Sequence, residues 1–335
     1  MIHFIYRLSV VSLIFLCVFI AKSYAQQFFW KAGYNFIGDN REYTTNYGYP
    51  ETILGSRLGV NVGYNLDSMQ SIVAGGSYFI EHGEKTFAQT PVINMYYEYK
   101  NSYLDFQLGS FPIEKLTFSK VLYTDSLLYY CPNYQGARGI FTHKRGEQTV
   151  LFDWHTQVNA GYVEKFITGV SGVTHLRNFF ITDMFYYRHH AEGERGKKSV
   201  ADNGACNINL GYDVKNTWFD SLSISTGFIN TWYSNRKDTT IISPLRSLAS
   251  YTTFYIGKRF LALDAVYYYG GGTHLPWGDP LYRCGNYARI DGVVNILNKE
   301  NVKASFRWCF HYVDGVIDNS QQIFLQARFG GPIKK

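Results

Sequence analysis

Basic side chains recur on one face of several segments near both ends of the chain. In 301–312, Lys303 and Arg307 lie an even number of positions apart and alternate with apolar residues such as Trp308 and Phe310. Residues with this spacing share one face of a β-strand. A ring of such cations around an aqueous space would lower the electrostatic barrier for anions. The predicted basic wall comprises Lys31, Arg57, Arg289, Lys303, Arg307, His311 and Arg328.

Local ion pairing is the alternative for these cations. In that case they only stiffen the wall by pairing with facing acids such as Glu98, Asp105, Asp153 and Asp264, while Asp291 is the main acid among the basic residues themselves. The formal net charge of the chain is +6, and removal of Arg7 and Lys22 with an N-terminal leader lowers it to +4. So mild a charge is not typical of a nucleic-acid-binding protein.

The segment 110–134 is the longest stretch without a strand pattern. Its charged members are Glu114, Lys115, Lys120 and Asp125. If this segment folds into the lumen of a barrel, these side chains set the width and charge of the passage. We expect that arrangement, with a plain surface loop as the alternative.

Histidines raise the question of hydrolysis or metal binding. His155 lies two residues after Asp153, and His189 precedes His190. No G-x-S-x-G, H-E-x-x-H or phosphate-loop motif accompanies them. Adjacent strand residues point to opposite faces, which disfavours a metal site at the histidine pair. The cysteines show no C-x-x-C spacing. We therefore expect no catalytic residues, no metal and no cofactor, and hence a protein that is not an enzyme.

Alternation of polar and apolar residues predicts the elements that hold these side chains. In 287–297 and 322–329, as in 301–312, every second residue is apolar. Membrane β-strands show this period over roughly ten residues, with the apolar set facing lipid and the polar set facing water. We count about sixteen such segments, with fourteen to eighteen as the range. The remaining segments are 28–38, 57–64, 70–81, 93–99, 104–109, 135–143, 148–157, 165–176, 179–189, 204–214, 221–233, 248–258 and 260–269.

The connections alternate in length. Long ones such as 39–55 and 270–284 follow odd strands, and short ones such as Asp67-Ser68 and Arg177-Asn178 follow even strands. Long external loops and short periplasmic turns are typical of outer-membrane barrels. Lipid offers no hydrogen-bond partner to a sheet edge, so the last strand must pair with the first. The fold class is therefore all-β, a transmembrane antiparallel up-and-down β-barrel.

The N-terminus resembles a secretory signal peptide. Arg7 precedes an apolar run, and Ser23 and Ala25 place small residues before a cleavage site. We predict a signal peptide over 1–25 and the barrel over 26–335. Aromatic residues make up 18% of the chain, which suits the aromatic girdles of a membrane barrel. The predicted location is the bacterial outer membrane of a Gram-negative cell.

Short motifs resemble those of porin-like proteins, including phosphate-selective and alginate-export porins. They are Leu108-Gly109-Ser110-Phe111-Pro112, Pro132-Asn133-Tyr134-Gln135-Gly136, Tyr287-Ala288-Arg289-Ile290-Asp291 and Gln321-Gln322-Ile323-Phe324. The resemblance implies a passive channel for small hydrophilic solutes, with 110–134 as its constriction loop, and a homotrimer. A mild anion preference would follow from the basic wall.

Two other functions stay open. One is a barrel component of a surface or secretion assembly. The other is an outer-membrane lipid hydrolase, since some outer-membrane barrels are hydrolases built on a Ser and a His near the outer rim. The charged stretch 192–198 is expected to be a solvated external loop in reach of lipopolysaccharide. The expected partners are thus outer-membrane lipids, lipopolysaccharide and small solutes.

Overall fold

The chain forms a closed antiparallel β-barrel, as the alternation of its residues predicts. The computed structural model describes residues 27–84, 89–114, 116–156, 164–190, 199–215, 218–237, 240–241, 245–275 and 278–333. Sixteen strands make the wall, and β12 adds two residues beside the outer end of β11. The strands are β1 Gln27–Glu42, β2 Glu51–Asn65, β3 Gln70–Glu81, β4 Val92–Lys100, β5 Leu104–Pro112, β6 Asn133–His143, β7 Gly146–Thr156, β8 Lys165–Leu176, β9 Phe179–His190, β10 Ser199–Asp213, β11 Ser221–Lys237, β12 Thr240–Ile241, β13 Leu245–Lys258, β14 Leu261–Gly270, β15 Asn286–Asn298, β16 Val302–Val313 and β17 Val316–Pro332.

The barrel closes between its first and last strands. Strand β1 pairs with β17 from Phe29 opposite Pro332 to Glu42 opposite Asn319. This pairing satisfies backbone groups that hydrocarbon could not, and it confirms the predicted closure. No helix among the described residues is long and apolar enough to cross a bilayer.

The two faces of each strand differ as a membrane wall requires. On β16, Trp308, Phe310 and Tyr312 are exposed outward, whereas Cys309 and His311 point inward and are buried. Exposed apolar residues of this density would aggregate in water but are favourable against lipid chains. The signal peptide prediction lies outside the described residues.

At the external end of the barrel, one connection is shorter than the predicted pattern of long external loops suggests. Strands β16 and β17 continue beyond the predicted segments and meet in the tight turn Asp314-Gly315, where φ is 48° and 92°. Two consecutive left-handed residues form the turn type that matches the twist of a hairpin. The external connection between these strands is therefore short, unlike the other external loops.

Two external segments fold into the barrel and fill its outer half. Residues 113–114 and 116–132, with the short helix α1 Leu127–Tyr130, and residues 271–275 and 278–285, with the 3-10 helix Pro280–Cys284, pack against inward aromatic residues of the wall. The inserted side chains include Phe118, Val121, Leu122, Leu275 and Tyr282, all buried. The lumen is thus occupied by an apolar core that continues onto the wall. The described part of the segment 113–132 thus lies inside the barrel rather than on its outer surface.

Candidate functional site

An ion-paired cluster joins the inserted segment 113–132 to the wall. Arg289 on β15 donates to Asp125 of the segment over 3.3 Å and to Asp291 over 2.7 Å. Asp291 also accepts from Arg307 at 3.1 Å and lies 3.8 Å from the Lys120 ammonium. Five residues singled out in the sequence are thus neighbours in space, with three cations facing two carboxylates.

The charges of this cluster stabilise one another. Burial would raise the pKa of Asp125, but Arg289 and Lys120 outweigh it and hold that pKa well below its ordinary value. Burial and the nearby Arg289 lower the pKa of Lys120. Removing one member would leave a buried charge uncompensated, which is costly in a dry interior. The cluster therefore fixes the inserted segment to β15 and β16. The cations of this part of the wall are paired, but with Asp125 and Asp291 rather than with Glu98, Asp105, Asp153 or Asp264.

His311 belongs to a closed hydrogen-bonded group. Its Nδ1 lies 2.8 Å from the Tyr287 hydroxyl and its Nε2 lies 3.2 Å from Ser320 Oγ. Both His311 and Ser320 are 1% exposed, and the Tyr43 ring packs on the imidazole. A substrate could not reach this serine, so the group has a structural role.

The remaining residues of the basic wall surround a cavity of about 720 Å³ below the inserted segment. Lys31, Arg57, Lys303 and Arg328 line it, together with Glu114 of the inserted segment. Lys31 lies 4.0 Å from Glu98, and Arg328 lies 3.5 Å from Glu114. Lys115 lies outside the described residues.

A serine–histidine pair that the sequence analysis missed lies on the membrane-facing surface. Ser56 Oγ on β2 is 3.1 Å from His82 Nε2, directly after β3, and 3.1 Å from the Tyr34 hydroxyl on β1. Ser56 lies opposite Ile80, so His82 is its diagonal neighbour on the outward face. The signal in the sequence is a polar residue at an outward position, between the exposed Leu54 and Leu58.

Two of the histidines that the sequence singled out, His155 and His189, lie beside aspartates. His155 Nε2 lies 3.1 Å from Asp153, and His189 Nδ1 lies 2.7 Å from Asp202. His189 also stacks on the Phe166 ring. Within the residues that the structure describes, no group of three or more His, Cys, Asp or Glu side chains could hold a metal ion.

A comparison with the profiles of known protein families assigns the chain to one of them. A family profile described as lipid A 3′-O-deacylase-type matches residues 23–329. The chain belongs to this family. Lipid A 3′-O-deacylases are enzymes, so the prediction that the chain is not an enzyme is wrong. The prediction depended on linear motifs, and residues that meet only through strand pairing leave no such motif in the sequence. No curated protein sequence matches the chain.

Solved structures similar to this member of the lipid A 3′-O-deacylase-type family are porin-type barrels of the outer membrane. A loop L8 deletion mutant of OmpT from Vibrio cholerae has a TM-score of 0.55 at 9% identity, over 91% of this chain and 100% of that one. OmpF of Salmonella typhi, in complex with daunomycin, has a TM-score of 0.54 at 10% identity, over 90% and 97%. OccK11 of Pseudomonas aeruginosa has a TM-score of 0.52 at 7% identity, over 92% and 98%. The predicted porin-like barrel fold and outer-membrane location are confirmed.

Proposed function

We propose that this chain is an outer-membrane lipid hydrolase that removes an ester-linked acyl chain from lipid A. In this proposal Ser56 is the nucleophile and His82 is the general base. The family assignment over residues 23–329 supports an acyl hydrolase. The filled outer half of the lumen supports a reaction outside the barrel, where lipid diffuses along the wall.

The observation that carries the proposal is the depth of the Ser56–His82 pair. The aromatic pair Phe28 and Tyr64, with ring centroids 4.8 Å apart, marks the periplasmic end of the outward apolar face. Ser56 lies eight residues from Tyr64 along β2, which is roughly 20 Å across the membrane for a tilted strand. The apolar band of such barrels is about 25 Å tall, so Ser56 lies near its outer edge. Acyl esters of an outer-leaflet lipid lie at the same boundary between hydrocarbon and headgroup.

The chemistry follows from the 3.1 Å contact between Ser56 Oγ and His82 Nε2. As Oγ attacks the ester carbonyl carbon, its proton moves to Nε2, and the imidazolium then protonates the departing sugar oxygen. The same base takes a proton from water, which attacks the acyl-serine and releases the fatty acid. Tyr34 positions Oγ through its hydroxyl. Among the described residues no carboxylate contacts His82, so this is a dyad, and slow turnover is expected.

The test uses purified protein reconstituted in vesicles that contain hexa-acylated lipid A, with fatty acid release followed by mass spectrometry. Ser56→Ala and His82→Gln should each lower release at least 100-fold, because loss of either member removes the activated nucleophile. Ser250→Ala is the matched control, since Ser250 lies on the outer surface and donates only to the carbonyl of Tyr269. A serine-directed fluorophosphonate should label Ser56 in the wild type. Unchanged release in both variants would falsify the assignment of this pair.

Diffusion of small hydrophilic solutes is a second candidate function. The sixteen-strand wall and the basic cavity favour it. In this version, residues 113–132 with Glu114, Lys120 and Asp125 form the constriction, and an anion preference arises from Lys31, Arg57, Lys303 and Arg328. A homotrimer would suit this function, and one of the similar structures is a trimer form of OmpT from Vibrio cholerae. Bilayer conductance with a reversal potential in a KCl gradient tests it, and cation selectivity would exclude the anion preference.

A further inference from the structure

The cavity of about 720 Å³ lies in the inner half of the barrel and is closed on its outer side. Leu128 and Tyr129 of α1 line its closed end. Asn298 and Lys303 line its other end, next to the short turn between β15 and β16 on the periplasmic side. A ligand would therefore enter from the periplasm and could not pass through while the segment 113–132 is in place.

Arg57 lies at the closed end. It is 8% exposed, and its guanidinium donates to Ser77 Oγ at 3.2 Å and to the backbone carbonyl of Tyr129. The Phe79 ring packs 5.1 Å from the guanidinium carbon. An arginine has five N–H donors, so three have no hydrogen-bond partner among the described residues. Within the same residues no carboxylate forms an ion pair with Arg57. A buried cation without a counter-ion favours binding of an anion.

The positive charges of the other cations that line the cavity are only weakly neutralised by acidic side chains. Lys303 has no ion pair within the described part of the chain. The contact of Lys31 with Glu98 is 4.0 Å long, and its lysine side chain is half exposed. The pair formed by Arg328 and Glu114 is more than half exposed on both sides. Solvent-exposed pairs of this kind contribute little energy, so an incoming anion could replace them. With four cations and one acid, the lining is strongly basic.

Side-chain amides line the wall next to these cations. Asn94 donates to Asn61 at 2.7 Å, and Asn133 donates to Asn94 at 2.8 Å. Gln326 donates to Asn35 at 3.0 Å on the opposite side of the cavity. All of these residues line the cavity. Fixed amides offer both donors and acceptors to hydroxyl groups, which a simple ion-exchange surface would not provide.

We propose that this cavity binds a small hydroxylated anion, a sugar phosphate or a sugar acid, from the periplasm. Its anionic group pairs with Arg57 at the closed end, and its hydroxyl groups bond to the amides. The volume falls within the range of small-molecule sites, which is roughly 300 to 1,000 Å³. The proposal is independent of lipid hydrolysis, because the Ser56–His82 pair lies on the opposite face of the wall.

The test measures binding of glucose 6-phosphate, glucuronate, glucose and inorganic phosphate to the refolded full chain by titration calorimetry in detergent. One of the two sugar anions should bind at least tenfold more tightly than glucose and than inorganic phosphate. Arg57→Gln should weaken this binding about tenfold, and Lys303→Gln about threefold. Lys144→Gln is the control, because it removes a charge from an exposed periplasmic turn outside the cavity.

Heat-modifiable migration on gels shows whether each variant is folded, and Lys303→Gln keeps the test usable if Arg57→Gln does not fold. Equal binding of glucose and both sugar anions would overturn the proposal, as would inorganic phosphate binding as tightly as they do. An effect of Lys144→Gln equal to that of Lys303→Gln would also overturn it. Lipid hydrolysis by Lys303→Gln should be unchanged, which separates this proposal from that of the enzyme.

Discussion

Asp125 and Arg289 connect the inserted segment to the barrel wall, with the carboxylate 3.3 Å from both terminal nitrogens of the guanidinium. They are 164 residues apart in the sequence. Asp125 also accepts from Gln322 on β17 at 3.2 Å, so one carboxylate joins the segment to two regions of the wall. This contact acts together with the buried apolar side chains of the segment, such as Phe118 and Leu122, in filling the outer half of the lumen.

Asp125→Asn should loosen the segment and open the lumen. The change leaves Arg289 and Lys120 with Asp291 as their remaining acid, and we expect a loss of about 2 kcal/mol in docking free energy. Single-channel conductance in planar bilayers should rise severalfold above that of the wild type. Glu114→Gln is the control, because its pair with Arg328 is exposed and should contribute less than about 0.5 kcal/mol. Equal conductance in the wild type and Asp125→Asn would show that the segment is held by its apolar core alone.

The strands could be predicted from sequence because lipid and water impose a period of two. Trp308, Phe310 and Tyr312 meet hydrocarbon, and His311 between them faces inward. Such a pattern is local, so it can be read along the chain. The ends of the strands cannot be read from this local pattern. Strand β17 begins at Val316 rather than near Gln322, because a strand that leaves the membrane still pairs with its neighbour.

The sites were harder to predict because they depend on register. Ser56 and His82 become neighbours only because the turn after β2 pairs Ser56 with Ile80, and a shift of one residue would send one of them inward. The partners of Lys120 and Asp125 depend on how an irregular segment folds, for which no period exists. The sequence identified the residues of the basic wall. It did not show which of them would join the ion-paired cluster and which would line the cavity.

Asp279 should make stability depend on pH between about 4 and 6. It caps the 3-10 helix by accepting from the Leu281 N–H at 3.0 Å. Burial raises the pKa of Asp279 to about 6, although that N–H and Arg289 oppose the rise. Unfolded aspartate titrates near 4, so the folded chain holds this proton over a window in which the unfolded chain has lost it. The contribution is fully present below about pH 4 and is lost as the pH rises to about 6.

The check is the thermal midpoint of heat-modifiable migration for wild type and Asp279→Asn at pH 4, 5, 6 and 7. Asparagine keeps the cap but does not titrate. The stability of the wild type relative to the variant should fall by at most about 3 kcal/mol across the window and stay constant above it. Asp125 faces the same region, but its lowered pKa keeps it charged throughout. A difference that does not change with pH would mean that Asp279 is solvated.

The distance of an outward-facing residue from the membrane midplane should determine how much a charged substitution there lowers the free energy of unfolding. Ile208 is 60% exposed in the middle of β10, and Leu176 is 57% exposed at the end of β8 beside a periplasmic turn. Both are apolar and face outward, so they differ mainly in distance from the midplane. Ile208→Arg should lower the free energy of unfolding from vesicles by about 2–4 kcal/mol, and Leu176→Arg by about 0–1 kcal/mol. Denaturant titrations in phospholipid vesicles measure both. If the two costs were equal, the membrane would not cross the barrel at the level of Ile208, and the depth assigned to Ser56 would be wrong as well.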